Sequence, residues 1–153
     1  MNRRHLLLAM SSSLLAPAVR VAAAADPIGG RYLAEDREHA IQLYFKKQLL
    51  FGRIIWTKNP NLKDKNNPNP KLRQRPLVGI EHIRSFQRAD DGAFRAGTLY
   101  NPEDGETYRA TIQLLEDDRL RIEGQPRVPV VGALLGALFG RIYYTRWVAR
   151  HDR

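Results

Sequence analysis

The chain has no cysteine, and that absence removes two chemistries. No disulfide framework can staple a small core, and no thiolate is present to attack a substrate or hold a metal. Serine is nearly absent too: beyond residue 25 only Ser85 remains. It stands in Arg84-Ser85-Phe86, without the glycines of a nucleophile elbow. A serine or cysteine hydrolase is therefore not expected. Histidine is sparse. His39, His82 and His151 lie beyond residue 25, with no metal-ligand spacing among them. His39 and His82 read as strand-surface residues. No phosphate-cradling glycine loop occurs. The acid pairs Asp90-Asp91 and Asp117-Asp118 fall at hairpin tips, where acids are ordinary turn residues, whereas a glycosidase needs two acids facing each other across a cleft. Asn101-Pro102-Glu103-Asp104-Gly105 lacks the twelve-residue ligand series of a calcium loop. These absences point away from an enzyme, and no cofactor or metal is expected.

Long apolar runs are also missing. Leu6 to Val19 is apolar but too short to span a bilayer. Asn2-Arg3-Arg4-His5 precedes it, and Ala23-Ala24-Ala25 follows. A basic head, an apolar stretch and a small-residue cut site make residues 1–25 read as a cleaved export signal, with the mature chain starting near Asp26. The paired arginines and Arg20 hint at the twin-arginine route. The expected location is the periplasm of a Gram-negative bacterium, or secretion. A second apolar stretch, Val128 to Gly140, has 13 residues, no charge and three glycines. It is too short for a transmembrane segment. It reads as a buried plug or flexed strand, or as a peripheral contact with a membrane or protein.

The chain carries 25 Lys and Arg against 16 Asp and Glu, a formal net charge of +9. Removing residues 1–25 takes away three arginines and no acid, which leaves +6. The remaining bases recur singly along strands, as Arg109, Arg119 and Arg121 do. That is a solvated face rather than a stripe for phosphates, and nucleic acid is not an expected partner.

Period-two alternation dominates the rest. Ile41, Leu43 and Phe45 alternate with Gln42, Tyr44 and Lys46. Tyr108, Ala110, Ile112 and Leu114 alternate with Arg109, Thr111 and Gln113. Such spacing puts each apolar set on one face of a strand. The run LLFGRIIWT, residues 49–57, is apolar on both faces and reads as a strand covered on both sides, with a bend or bulge at Gly52. Around Ile80 and Ile83 the alternation slips by one, as a bulge would make it. Turn signals at 90–92, 102–105 and 116–118 mark short antiparallel connections. Eight strands are expected, near 30–35, 38–46, 49–58, 77–87, 93–100, 107–115, 119–125 and 141–149. A barrel or a sandwich fits that count, and a meander of hairpins favours an up-and-down barrel.

One long loop interrupts the strands, at 58–76. Across it runs Asp64-x-x-Asn67-Pro68-Asn69-Pro70-x-Leu72-Arg73-x-Arg75-Pro76-Leu77-x-Gly79. Upstream stands Gly52-Arg53-Ile54-Ile55-Trp56. Downstream stands Gly97-x-Leu99-Tyr100-Asn101-Pro102-x-Asp104-Gly105-x-x-Tyr108. In that order and spacing, residues 29 to 125 resemble the small exported bacterial proteins of domain of unknown function 2147. The resemblance implies a lipocalin-like (calycin-like) all-β barrel with an internal cavity, spanning residues 26–153, and no reaction. The chain departs from the family at Phe51, where cysteine is usual nearby, and at Tyr144, where the closing strand usually has tryptophan. An apolar insert at 128–140 precedes that strand.

A small eight-stranded barrel can enclose one ligand. Trp56, Tyr100, Tyr108 and Tyr144 are candidate walls for a small, partly apolar molecule, with Arg75 or Arg146 at the mouth. The simpler reading of the same aromatics is packed core. Arg75 can instead pin the loop to a carboxylate such as Asp104 or to strand-end carbonyls. The competing reading is a filled barrel that contacts a partner or the envelope through 128–140.

Overall fold

The computed structural model describes residues 26–125 and 141–146. Nine strands run in sequence: β1 (Gly30–Ala34), β2 (His39–Lys46), β3 (Leu49–Thr57), β4 (Glu81–Arg88), β5 (Phe94–Arg95), β6 (Thr98–Asn101), β7 (Glu106–Leu114), β8 (Leu120–Gln125) and β9 (Arg141–Arg146). Every pairing is antiparallel. Each strand pairs with its successor along the chain, except that β5 and β6 together form one kinked strand between β4 and β7. β9 then returns to pair with β1. The sheet therefore closes on itself as an up-and-down barrel of eight strands, and closure removes the open edges. Within the described residues the one helical element is the single turn Pro70–Leu72.

Alternation does what the sequence predicts. Ile41 and Leu43 point inward from β2, Ala110 and Ile112 from β7, and Leu120 and Ile122 from β8. With Ile28, Tyr32, Leu50, Ile83, Phe86 and Phe94 they form one continuous core. The bulky members gather at one end. Leu50 pairs with Phe86, and Phe94 pairs with Ile112. The two phenylalanines are fully buried there. Ile28, just before β1, seals that end, and its carbonyl accepts from the buried Tyr32 hydroxyl at 2.8 Å.

Three departures from the expected pattern matter. The strand expected at 93–100 breaks at Ala96, whose φ is 60°. Gly97 follows. A Cβ there would sit 2.3 Å from the Phe86 ring, so the chain passes edge-on over a core aromatic where only glycine fits. The strand expected from 77 starts at Glu81, because Gly79 takes φ of +95° in a turn. The run at 49–57 is not covered on both sides. Leu50, Gly52 and Ile54 are buried, whereas the outer face is half-open. On that face Phe51 stacks on Tyr44, with ring centroids 6.3 Å apart.

The bulges expected from the sequence are present. Register shifts flank Gly52 in the β3–β4 pairing. In β4, His82 and Ile83 are both buried and Ser85 has φ of 59°. The apolar 128–140 stretch, residues 1–25 and the expected strand end beyond 146 lie outside the described residues.

Replacing Gly97 tests the packing of the kink. Gly97→Ala should lower stability by about 2–3 kcal/mol, an overpacking cost, because the Phe86 ring has no room to retreat. Gly92, with φ of +80° but nothing within 4 Å of its Cβ position, should cost only about 1 kcal/mol as Gly92→Ala, through backbone strain. Urea midpoints of the two variants check the difference.

Candidate functional site

Away from the aromatic plug the described residues leave a space inside the barrel. A cavity of about 410 Å³ lies at the end where β2 begins and β3 finishes. Its apolar wall comes from Ile54, Leu99, Ile122 and Ile142, with Leu62 and Leu77 supplied by the long loop. Its polar groups include His39, His82, Thr57, Tyr100, Tyr108 and Tyr144, with acids at the rim. Apolar walls with a few convergent polar groups are the usual make-up of a small-molecule site.

The loop reaches the cavity because a buried carboxylate ties it down. Asp64 is completely buried. It accepts from the Tyr100 hydroxyl at 2.5 Å, from Asn67 Nδ2 at 2.7 Å, and from Arg75 Nε and Nη2 at 2.9 and 2.7 Å. Burial pushes the Asp64 carboxyl up, but the hydrogen bonds from Tyr100, Arg75 and Asn67 outweigh it and hold it below the usual carboxylate range. The same burial and the Asp64 charge push Tyr100 up to about 12, so its hydroxyl stays a donor.

The sequence shapes the loop to suit this bond set. Asn67 and Asn69 accept from backbone N–H groups two residues on, the habit of asparagine in turns. Proline at 68, 70 and 76 limits what the unfolded loop can sample. The Asp64 N–H donates to the Arg75 carbonyl at 3.1 Å, and the Leu77 N–H donates to that of Leu62 at 3.0 Å. Gly105 completes the contact. Its φ is +77°, and a Cβ there would lie 1.9 Å from the Asn66 carbonyl oxygen.

Tyr100, Tyr108 and Tyr144 do line the cavity, and the structure brings them together. Tyr108 donates to Asp104 at 2.7 Å. Burial and that carboxylate push it up to about 12. Tyr144 is buried beside His39, and its hydroxyl and His39 Nε2 share a 2.9 Å hydrogen bond. The rings meet edge to face with centroids 5.5 Å apart.

The other three candidates are placed elsewhere. Trp56 is 38% exposed and turned outward. The cause is a bulge: Ala40 pairs with Trp56 but Ile41 with Ile54, so Ile55 is an extra residue. The slip inverts the faces, and Thr57 takes the inward place. Arg75 stands beside the mouth with both hydrogen-bonding nitrogens on Asp64; its partner is not Asp104, and it is not among the lining residues. Arg146 lies at the opposite end, where β9 pairs with Tyr32. There it donates to the carbonyls of Pro27 and Gly29, with its guanidinium 5.2 Å from the Tyr32 ring centre.

The two histidines correct the surface reading. His82 is 5% exposed. Its Nδ1 has no hydrogen-bond partner among the described residues. Burial drives its pKa down to about 3. Burial also lowers His39, although the carboxylates of Asp36, Glu103 and Glu38 work against it. Both rings are neutral at neutral pH. The one signal in the sequence was the slipped alternation near Ile80 and Ile83, which lets two neighbours, His82 and Ile83, both be buried. Among the described residues no group of three or more His, Cys, Asp or Glu could hold a metal ion, and no helix is long and apolar enough to cross a membrane.

Two measurements follow. Arg75→Ala should cost about 1–3 kcal/mol of stability by urea unfolding, because it strips a charged hydrogen-bond partner from a buried carboxylate. Acid should weaken the fold through His82. Below its ordinary value of 6.5 the unfolded chain takes up a proton that the folded ring refuses until about pH 3. Stability should therefore fall as pH drops from about 6 to 4.5, by up to about 1.4 kcal/mol per pH unit for that proton. His39 adds to the slope. In His82→Phe the slope should flatten, and an unchanged slope would contradict the buried neutral ring.

The barrel has a solved counterpart. Protein HP1028 from the human pathogen Helicobacter pylori, described as belonging to the lipocalin family, superposes with a TM-score of 0.64 over 80% of this chain and 84% of its own, at 20% identity. At that identity the likeness shows the fold. No curated protein matches the chain. A family model described as an uncharacterised protein conserved in bacteria matches residues 30–134. By that match, and with a lipocalin-like barrel to go with it, the chain belongs to the DUF2147 family of bacterial proteins.

Proposed function

We propose that this protein is an exported binder, not an enzyme, that carries one small, partly apolar molecule in the open end of its barrel. The observation behind this reading is the cavity of about 410 Å³, with apolar walls and a buried ring nitrogen, His82 Nδ1, that has no hydrogen-bond partner among the described residues. A buried polar group without a partner is costly, and a ligand that bonds to it recovers that cost. A volume of about 410 Å³ lies within the roughly 300–1,000 Å³ range of small-molecule pockets. The loop side chains Leu62 and Leu77 lie over the mouth, where they would cover an apolar body. A periplasmic location accords with the signal-like layout of residues 1–25 and with a fold that needs no cysteine.

The test is a titration with N-phenyl-1-naphthylamine, an apolar dye whose fluorescence rises out of water. It should bind the protein at one site. Leu62 is 40% exposed and reaches the cavity from the loop, so Leu62→Trp should block the mouth without disturbing the barrel. Dye affinity should fall by about tenfold or more, the equivalent of about 1.4 kcal/mol, while the urea midpoint holds. Saturable binding that ignores this substitution, or no binding, would overturn the cavity reading. N-terminal sequencing of cell-fractionated protein that began at Met1 would overturn the export reading.

A further inference from the structure

The charge at the mouth runs against the charge of the chain. The whole chain has nine more basic than acidic groups. Yet the described residues lining the cavity include Asp36, Glu38 and Glu103, and neither lysine nor arginine. These acids come from two turns, one between β1 and β2 and the other between β6 and β7. Both Asp36 and Glu103 act electrostatically on the same pair, the half-buried His39 and the buried Tyr144, so the two turns face one opening. Glu38 is already paired with Lys58 at 2.5 Å, and that ammonium also acts electrostatically on Asp36. Asp36 and Glu103 have no ion-pair partner among the described residues. Asp36 Oδ1 accepts from the Glu38 N–H at 2.9 Å, which fixes the side chain in place.

A second, independent observation points to a ligand in the same space. His82 lines the cavity, is 95% buried, and leaves Nδ1 without a partner among the described residues. We propose that the cavity selects amphiphiles by charge, taking an apolar molecule with a cationic, N–H-donating head in preference to one with a carboxylate head. The proposal rests on the binding reading above and adds a ligand class to it. An ammonium head at the rim meets two unpaired carboxylates. A carboxylate head meets those same charges, and neither histidine offers it a counter-charge at neutral pH, since burial keeps both rings neutral. The attraction is of surface strength, about fivefold for an exposed pair at low salt.

Displacement of N-phenyl-1-naphthylamine by decylamine, decan-1-ol and decanoate tests it, at neutral pH and low ionic strength. The three probes share one chain length and differ in head charge. Decylamine should displace the dye about fivefold more effectively than the alcohol, and the alcohol about fivefold more effectively than decanoate. The double variant Asp36→Asn, Glu103→Gln keeps both side-chain shapes and the cap on Glu38. It should bring the three affinities to within about twofold of one another, with an unchanged urea midpoint. Raising the salt should narrow the wild-type spread. If decanoate competes as well as decylamine, or if the order survives the double variant, charge selection is wrong while the cavity still binds. If none of the three displaces the dye, the binding reading fails, and this one with it.

Discussion

The Asp64 carboxylate is shut away from water and accepts from three side chains at once, and the mouth of the barrel takes its shape from that constraint. An ion taken out of water costs several kcal/mol unless its partners are well placed. The partners come from both sides of the loop and from the barrel. Asn67 and Arg75 bracket the loop from within, and Tyr100 joins it to β6. Loosening one leaves a buried charge short of donors, so the set holds or fails together. What depends on it is the position of Leu62 and Leu77, the two loop side chains that lie against the cavity. The apolar interior and the polar knot outside it are thus one arrangement.

The barrel was legible in the sequence because its determinants are local. Alternating apolar residues in 41–45, 108–114 and 120–122 show which face is inward, and the short turns between runs leave little topological choice. The loop anchor was legible in kind, since asparagine, proline and arginine each have a specific use in a shaped turn. Its true partner was not, because Arg75 meets Asp64 from eleven positions away through the fold of the loop itself. The site was read only in part, and bulges account for the errors at Trp56 and His82. One residue added at Ile55 turned Trp56 out and Thr57 in. A comparable irregularity in β4 buried His82 next to Ile83. Strand periodicity forecasts faces only as far as the next bulge, and bulges depend on the partner strand as much as on the strand itself.

The barrel separates two tasks along its axis. The plugged end is held by packing, with Phe86, Phe94, Ile28 and Tyr32 in close contact and Gly97 leaving room for a ring. The open end is held by hydrogen bonds, from Tyr100 to Asp64 and from Tyr108 to Asp104, and between His39 and Tyr144. Hydrogen bonds fix positions without filling volume. Among the described residues, a barrel built this way leaves a cavity beside a packed core.

At the plugged end, Arg146 bonds to the Gly29 carbonyl across 117 positions of the chain. That distance governs how the molecule must be made. Each hairpin from β2 to β8 can form as soon as its second strand exists, but β1 has only one neighbour until β9 arrives. During synthesis the chain is therefore an open, curling sheet with two bare edges, β1 and β8. Non-local pairing of this kind is slow and leaves those edges exposed to other chains. The last described strand both completes the barrel and ends the interval in which the protein is prone to stick to its neighbours.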